Sequence, residues 1–351
     1  MHVVVVGASG NVGTSLLRAL ASDSGVERIT GLARRRPALA MDKVEWRQAD
    51  ITTSYLPREL TGADAVVHLA WAIQPSRDSA ALRATNVEGS ARLLEAVARA
   101  RVPTLAYASS VGAYSPGPKD REVDEGWATE GIATSFYSCH KAEVESLLDE
   151  FERGEPGVRV VRMRPALIFK REAATGIRRL FAGPFVPPFA FDRRALAVVP
   201  DIPRLRFQAV HTDDVADAFR LALRDRNARG AFNLAAGPVL DPDKLAELLD
   251  ARRLKLPIRV ARAAASATWR ARLQPTPAGW LDMGLAVPLM SSRRARQELG
   301  WKPTKGADEA LLELLAGMRA GAGLGTPPLD PASSGRLRFN ELRTGVGAKA
   351  Y

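Results

Sequence analysis

The stretch VVVVGASGNVG, residues 3 to 13, constrains this chain more than any other. Four consecutive valines with no polar alternation suit a strand covered on both faces, as in a parallel sheet between two layers of helices. Gly7, Gly10 and Gly13 then break the run at intervals of three, and TSLLRALA continues with a helical period. A strand that ends in a glycine-rich turn and feeds a helix is one βα unit, and the rest of the fold must be compatible with it.

The same alternation continues to about residue 165. HVVVVG, RITGLA, ADAVVHLA, PTLAYASS and VRVVRMRP read as short β-rich runs, and LLRALAS, ARLLEAVARA and AEVESLLDEFE read as amphipathic helices between them. The expected fold is α/β, a doubly wound parallel sheet. After Arg164 and Pro165 the texture changes: Gly183, Pro184, Pro187, Pro188, Pro200 and Pro203 stand among large apolar residues, which predicts a long, shaped loop. FQAVHTDDVADAFRLAL and GAFNLAAG then read as strand, turn, helix and strand, returning the chain to the sheet. Residues 241–317 read as mainly helical, beginning with an Asp cap in DPDKLAELLDA. The expected organisation is a nucleotide-binding domain over 1–165, its sheet completed by 204–237. A smaller, mostly helical substrate-binding domain takes 166–203 and 238–317, and AGAGLGTPPLDPASSG opens a weakly ordered tail over 318–351.

A chain of 351 residues, 46% of them hydrophobic, fills a sizeable core. The single cysteine, Cys139, makes no internal disulfide framework and fits a reducing compartment, so cytoplasm is the expected location. The N-terminal apolar run is too short for a signal peptide, and no stretch approaches the ~18 apolar residues of a span; neither export nor a membrane partner is expected. The net charge of +11 raises nucleic-acid binding, but the basic residues are scattered and often stand beside acids, as in SRRARQELG at 292–300. Charge of that kind speaks to solubility and general attraction, so the expected partner is a small molecule and not a nucleic acid; no metal site is expected.

Two patterns carry chemistry. A glycine turn after a strand lets the backbone approach a phosphate closely, while the next helix offers free N–H groups and the positive end of its dipole. YSCHK, 137–141, sets Tyr137 and Lys141 four apart, on one helical face, where both can meet one ligand. A free tyrosine titrates near ~10, and a neighbouring ammonium is expected to favour the phenolate and bring that value down. His140 and Cys139 lie on other faces as bystanders.

Several separate stretches complete a series. These are GADAVVHLA at 62–70, ATNVEGSARLLEA at 84–96, YASSVGAY at 107–114, RPALIF at 164–169, VHTDDVADA at 210–218, FNLAAG at 232–237 and SSRRARQELGWKP at 291–303. With GASGNVG and YSCHK they resemble the extended short-chain dehydrogenase/reductase family, the NAD-dependent epimerase/dehydratase proteins, over about residues 1–317. The resemblance implies a Rossmann-type sheet and a catalytic set of Ser110, Tyr137 and Lys141. In it Tyr137 transfers the proton, Ser110 bonds the substrate oxygen and Lys141 also holds the nicotinamide ribose. Ser110 is chosen over Ser109 because it stands four residues before Tyr114. The implied cofactor contacts are Gly7, Ser9, Gly10, Asn11, Val12 and Gly13 at the pyrophosphate, Asp50 and Ile51 at the adenine, and Leu69, Ala70 and Pro165 along the channel beside His68. Relatives often dimerise through helices of the large domain, which implies a homodimer.

At the end of the second strand, where NAD-binding relatives place an acid, GLARRRP has Ala33 followed by Arg34 and Arg35. A 2′-phosphate would meet cations there, so NADP is expected ahead of NAD. Val111 and Gly112 stand where sugar-nucleotide dehydratases carry an Asp-Glu pair, which argues against dehydration. Trp71 after HLA, and WLDMGLAVPLM at 280–290, suggest an apolar substrate side. The expected function is hydride transfer between a nicotinamide and a secondary alcohol or ketone. The alternative is epimerisation of a nucleotide sugar with retained cofactor, and the third reading is a non-catalytic cofactor sensor.

Overall fold

The computed structural model describes residues 1–74, 76–183, 186–191, 196–331 and 346. Seven parallel strands form the central sheet: β1 (His2–Val6), β2 (Arg28–Ala33), β3 (Val44–Gln48), β4 (Ala65–His68), β5 (Thr104–Ala108), β6 (Arg159–Pro165) and β7 (Gly230–Leu234). Their order is β7-β6-β5-β4-β1-β2-β3. The chain reverses its direction of travel between β1 and β4, and in open parallel sheets the crevice at that switch, beyond the carboxyl ends of the strands, receives ligands.

The valine run is buried because it serves two cores. Val3 and Val5 pack with Leu16, Leu17 and Leu20 of helix α1 (Asn11–Ala21) on one face. Val4 and Val6 belong to the opposite core with Leu93 and Val97 of α2 (Gly89–Arg99) and Leu148 of α3 (Phe136–Gly154). Side chains alternate across a strand, so an unbroken apolar run is what two covered faces require. Each such side chain stabilises by about 1.5–3 kcal/mol relative to exposure. Helix α4 (Thr212–Arg224) joins α1 on the first face, placing Val215 and Phe219 in its core. Of the segment that the sequence returns to the sheet, α4 and strand β7 join it, whereas Phe207–His211, expected to complete it, pairs in a separate three-stranded sheet.

β3, with sequence VEWRQ, is an edge strand that buries only Trp46, whose ring lies against Gly31 of β2. Glu45 and Arg47 keep that edge charged, which discourages pairing with another chain. Beyond the sheet, Leu167–Phe169, Phe207–His211 and Ala236–Leu240 form a three-stranded sheet. It packs on the helix Ala307–Ala320 through Phe169, Ala209, Leu240, Ala310 and Leu314. Asp241 caps the helix Pro242–Leu249 by accepting from the Lys244 N–H at 2.9 Å. Within the proline-rich 183–206 stretch, read as loop from sequence, Val198–Asp201 forms a strand beside Arg252–Lys255. Pro200 is tolerated there because this two-stranded ribbon consists of edges only.

The helix Ala307–Ala320 ends at Gly321, whose φ of +61° suits glycine, and the chain turns back over the large domain. Thr326 donates to the Ser9 carbonyl at 2.8 Å and Thr175 to the Ala322 carbonyl at 2.7 Å. The tail expected over 318–351 falls mostly on 332–345 and 347–351, which lie outside the described residues. No helix among the described residues is long and apolar enough to cross a membrane.

Candidate active site

The glycine turn sits at the switch point. Gly7 takes φ +84°, and a Cβ there would stand 2.6 Å from the Ala70 backbone nitrogen; a Cβ on Gly13 would stand 2.5 Å from the Ala8 carbonyl oxygen. These two glycines are needed by the chain itself, to fit the turn against the end of β4 and the helix against the turn. A Cβ on Gly10 would meet only the Gly7 carbonyl, at 3.3 Å, so its bareness serves whatever lies over the turn. Gly10 gives α1 no side-chain cap, which leaves first-turn N–H groups and the positive helix end available to an anion. Ser9, Asn11 and Val12 complete this cradle.

The cradle is braced by side chains distant in sequence. The Lys170 ammonium, buried, donates to the Asn11 carbonyl and the Thr14 hydroxyl, each at 2.7 Å. Thr212 at the start of α4 donates to the Asn11 side-chain oxygen at 3.2 Å. Burial pulls Lys170 down to about 8. Neither brace is legible in the sequence, because each depends on a contact across some 150 to 200 residues of chain.

Tyr137 and Lys141 lie on α3, and Ser110 precedes a single 3₁₀ turn, Val111–Ala113, that follows β5. The Ser110 oxygen accepts from the Gly112 N–H at 3.0 Å, and the Ser110 hydroxyl faces the Tyr137 phenol. The Tyr137 ring rests on Gly112, where a Cβ would come within 2.8 Å of it. Lys141 donates to the Ala108 carbonyl at 2.7 Å and to the Tyr107 hydroxyl at 3.2 Å, and its ammonium lies 3.5 Å over the Trp71 ring. Burial pushes Tyr137 above its ordinary value, opposed by the Ser110 hydroxyl, and pushes Lys141 well below its own. The sequence alone predicts the opposite direction for the tyrosine, lowered by the ammonium. Here desolvation dominates both groups, raising the phenol and lowering the amine.

A buried network holds these elements together. The Glu145 carboxylate, one turn beyond Lys141, accepts from Ser109 at 2.5 Å, from Arg164 at 2.8 and 3.0 Å, and from Arg162 at 3.0 Å. Burial acts to raise it, but the bonds and charge of Arg164, then of Arg162, bring Glu145 down to about 2. Arg164 also donates to the Tyr114 hydroxyl, which donates to Asn233 of β7. Ser109 is thus spent on Glu145, while Ser110 faces the tyrosine. Asn86, fully buried, grips Ala72 from both sides, accepting from its N–H at 2.7 Å and donating to its carbonyl at 2.8 Å. That grip fixes the loop carrying Trp71. Glu145 extends the Tyr137–Lys141 spacing by another four residues, a signal the sequence did contain; Asn86 had none.

Around Tyr137 the wall is aromatic and apolar. Its ring centroid is 4.9 Å from that of Trp280 and 5.9 Å from that of Trp71, the latter edge-on. Phe136 and Phe181 pack on Trp280 in turn, and Ile132, Met283 and Val287 close the cluster. The Trp71 and Trp280 indole nitrogens are buried without a partner among the described residues.

The remaining predicted residues fall around the same crevice. Leu69 and Ala70 run beside Gly7, and Pro165 ends β6, paired with Leu234. The Gly7 and Ala8 N–H groups both bond the Leu32 carbonyl near the end of β2, which brings the exposed Arg34 and Arg35 beside the turn. Neither arginine makes a salt bridge among the described residues. Asp50 spends one carboxylate oxygen on Thr52, and Ile51 is buried against Gly89 at the start of α2.

Residues 3–235 match the family model described as NAD dependent epimerase/dehydratase family. An uncharacterized protein of Mycobacterium tuberculosis (strain ATCC 25618 / H37Rv) is 28% identical over 327 residues, 93% of this chain. That match spans only 31% of the relative's length. A 4-hydroxy-2-methyl-3-oxo-4-farnesyl-3,4-dihydroquinoline-1-oxide ketoreductase of Stigmatella aurantiaca is 24% identical over 318 residues, 86% of this chain and 92% of that protein. Among solved structures, the UDP-glucose 4-epimerase of Thermus thermophilus in complex with NAD superposes with a TM-score of 0.65 at 20% identity. The superposition covers 91% of this chain and 99% of that one, a likeness of fold.

Proposed function

The chain belongs to the NAD-dependent epimerase/dehydratase family and is an enzyme; on that premise we propose that it is an NADP(H)-dependent oxidoreductase acting on an apolar ketone or secondary alcohol. The observation that carries this reading is Tyr137 set in an aromatic wall of Trp71 and Trp280, facing Ser110 and one helical turn from Lys141. The ketoreductase among the relatives, whose named substrate bears a farnesyl group, is in keeping with it.

The glycine cradle and uncapped helix end fit a dinucleotide pyrophosphate, held by Gly7, Ser9, Gly10, Asn11, Val12 and Gly13. Arg34 and Arg35 receive a 2′-phosphate, Asp50 and Ile51 the adenine, and Leu69, Ala70 and Pro165 line the channel. When bound, the nicotinamide supplies the hydride chemistry. Tyr137, kept neutral by burial, carries the proton that the carbonyl oxygen gains on reduction, and Ser110 fixes that oxygen by hydrogen bonding. Lys141 reaches the ribose from the same helical face. Trp71 and Trp280 give the reacting carbon an apolar, aromatic wall, which supports this reading over epimerisation.

The test is to mix the protein with NADPH or NADH and a panel of apolar ketones and nucleotide sugars, following the nicotinamide absorbance together with product stereochemistry. Net NADPH consumption on ketones is the expected outcome. Turnover of a nucleotide sugar without consumption would replace the proposal with the epimerase reading.

A further inference from the structure

The helix Ile258–Arg270 has no buried residue along its 13 positions. Ile258, Ala261, Ala265 and Trp269 are half-covered and face the protein, while Val260, Ala263, Ala264, Ala267 and Ala271 are exposed. Spaced i, i+3, i+4, i+7 and i+11, these five make one apolar stripe turned to solvent, the reverse of what a helix docked only on its own domain presents. Residues 252–272 hold seven arginines and lysines and no acid. Arg253 pairs with Asp243 and Arg262 with Asp282, both acids from outside the segment. Arg252, Lys255, Arg259, Arg270 and Arg272 make no salt bridge among the described residues.

Large apolar side chains stand out of the same region. Val260 is 53% exposed and Leu273 52%, and Phe181, 49% exposed, lies against Trp280 at the edge of the active-site wall. Gly183, two residues past Phe181, abuts the Leu273 carbonyl, so these residues share one rim.

We infer that this rim is a docking surface for an anionic lipid bilayer, with the helix lying in the interfacial plane. Cations flanking an apolar stripe are what such a surface selects, since the stripe enters the acyl boundary while the arginines meet lipid phosphates. A nucleic acid would use the cations and leave the stripe wet, and a second copy would bring the same uncompensated charge against itself. The sequence alone predicts no membrane partner, because it displays no spanning segment and its charge is scattered; the outward orientation of the stripe becomes visible only once the helix is placed. The inference stands apart from the reaction assigned to Tyr137, although it places the site's aromatic edge where an apolar substrate would partition.

Co-sedimentation of the full chain with vesicles tests it, comparing phosphatidylcholine alone with phosphatidylcholine containing about 30% phosphatidylglycerol. Binding at least tenfold tighter to the anionic vesicles, weakened by raised salt, is expected. Arg259→Glu combined with Arg270→Glu reduces that binding at least tenfold, as does Val260→Asp with Leu273→Asp, while both pairs keep the wild-type NADPH Kd as proof of folding. Equal binding to both vesicles, or none, overturns the inference. So does indifference to charge reversal, indifference to the Val260 and Leu273 changes, or a preference for RNA or self-association over anionic vesicles that the same variants abolish.

Discussion

Glu145 of α3 and Arg164 of β6 form a buried two-point ion pair, with the carboxylate 2.8 and 3.0 Å from the guanidinium, tying the helix of Tyr137 and Lys141 to the sheet. Arg162 shares the same carboxylate but also pairs with Asp149 and Glu152, so Glu145→Gln leaves Arg164 as the buried guanidinium without a counter-charge. Removing one partner of a buried pair costs about 3–5 kcal/mol, and that is the loss expected in urea denaturation at neutral pH. The carboxyl is depressed from 4.5 to about 2, so its stabilisation is present above the ordinary carboxylate range and lost as pH falls through that interval. Wild-type stability should decline from about pH 4.5 towards 2 by more than that of the variant. Parallel pH profiles would show that the network does not act through this group.

Tyr137→Phe removes the proposed proton donor and keeps the ring that packs on Gly112 and Trp280. Loss of a positioned general acid is expected to lower kcat about 10²- to 10⁴-fold while the NADPH Kd stays near that of the wild type. Because burial raises Tyr137, the protonated form persists through neutral pH, and reduction should slow only as pH climbs past the ordinary tyrosine value of 10.0. Stopped-flow oxidation of NADPH across pH 6 to about 10.5 reads both effects. A rate already falling near neutrality would place the essential proton elsewhere.

Arg34→Ser with Arg35→Ser addresses the cofactor. Each hydrogen bond to a charged phosphate contributes about 1.5–3 kcal/mol, so with both arginines removed NADPH should bind roughly 10²- to 10⁴-fold more weakly while NADH changes little. Fluorescence titration of both cofactors measures this directly, and equal weakening would assign the arginines to something other than the 2′-phosphate.

What the sequence made legible follows from range of contact. Val3 to Val6 announced a two-sided strand, and Tyr137 to Lys141 a shared helical face, because strand and helix periods are local properties. β3 was overlooked because VEWRQ buries only Trp46, and Val198–Asp201 because Pro200 reads as a breaker until its partner Arg252–Lys255 is known. The direction of the Tyr137 shift also escaped. It depends on how completely Trp71 and Trp280 close over the ring, and both come from segments distant from it in the chain. Likewise Lys170, which directly follows RPALIF, becomes a brace of the glycine turn only once its ammonium is set against Asn11 and Thr14.

The three glycines separate structure from binding, and alanine at each gives a different expected result. Gly7→Ala must place a Cβ 2.6 Å from the Ala70 backbone at φ +84°, and Gly13→Ala one 2.5 Å from the Ala8 carbonyl. Both should destabilise the fold, Gly7→Ala by at least the ~1–2 kcal/mol of a left-handed non-glycine residue. Gly10→Ala meets a single contact at 3.3 Å and its φ of −81° is open to any residue, so its thermal midpoint should stay close to that of the wild type. Its methyl group would intrude on the surface offered to the pyrophosphate, and the NADPH Kd is expected to rise at least tenfold. Thermal unfolding and cofactor titration on the three variants decide the matter: a Gly10→Ala protein that binds NADPH normally would mean that the phosphates do not lie over this turn.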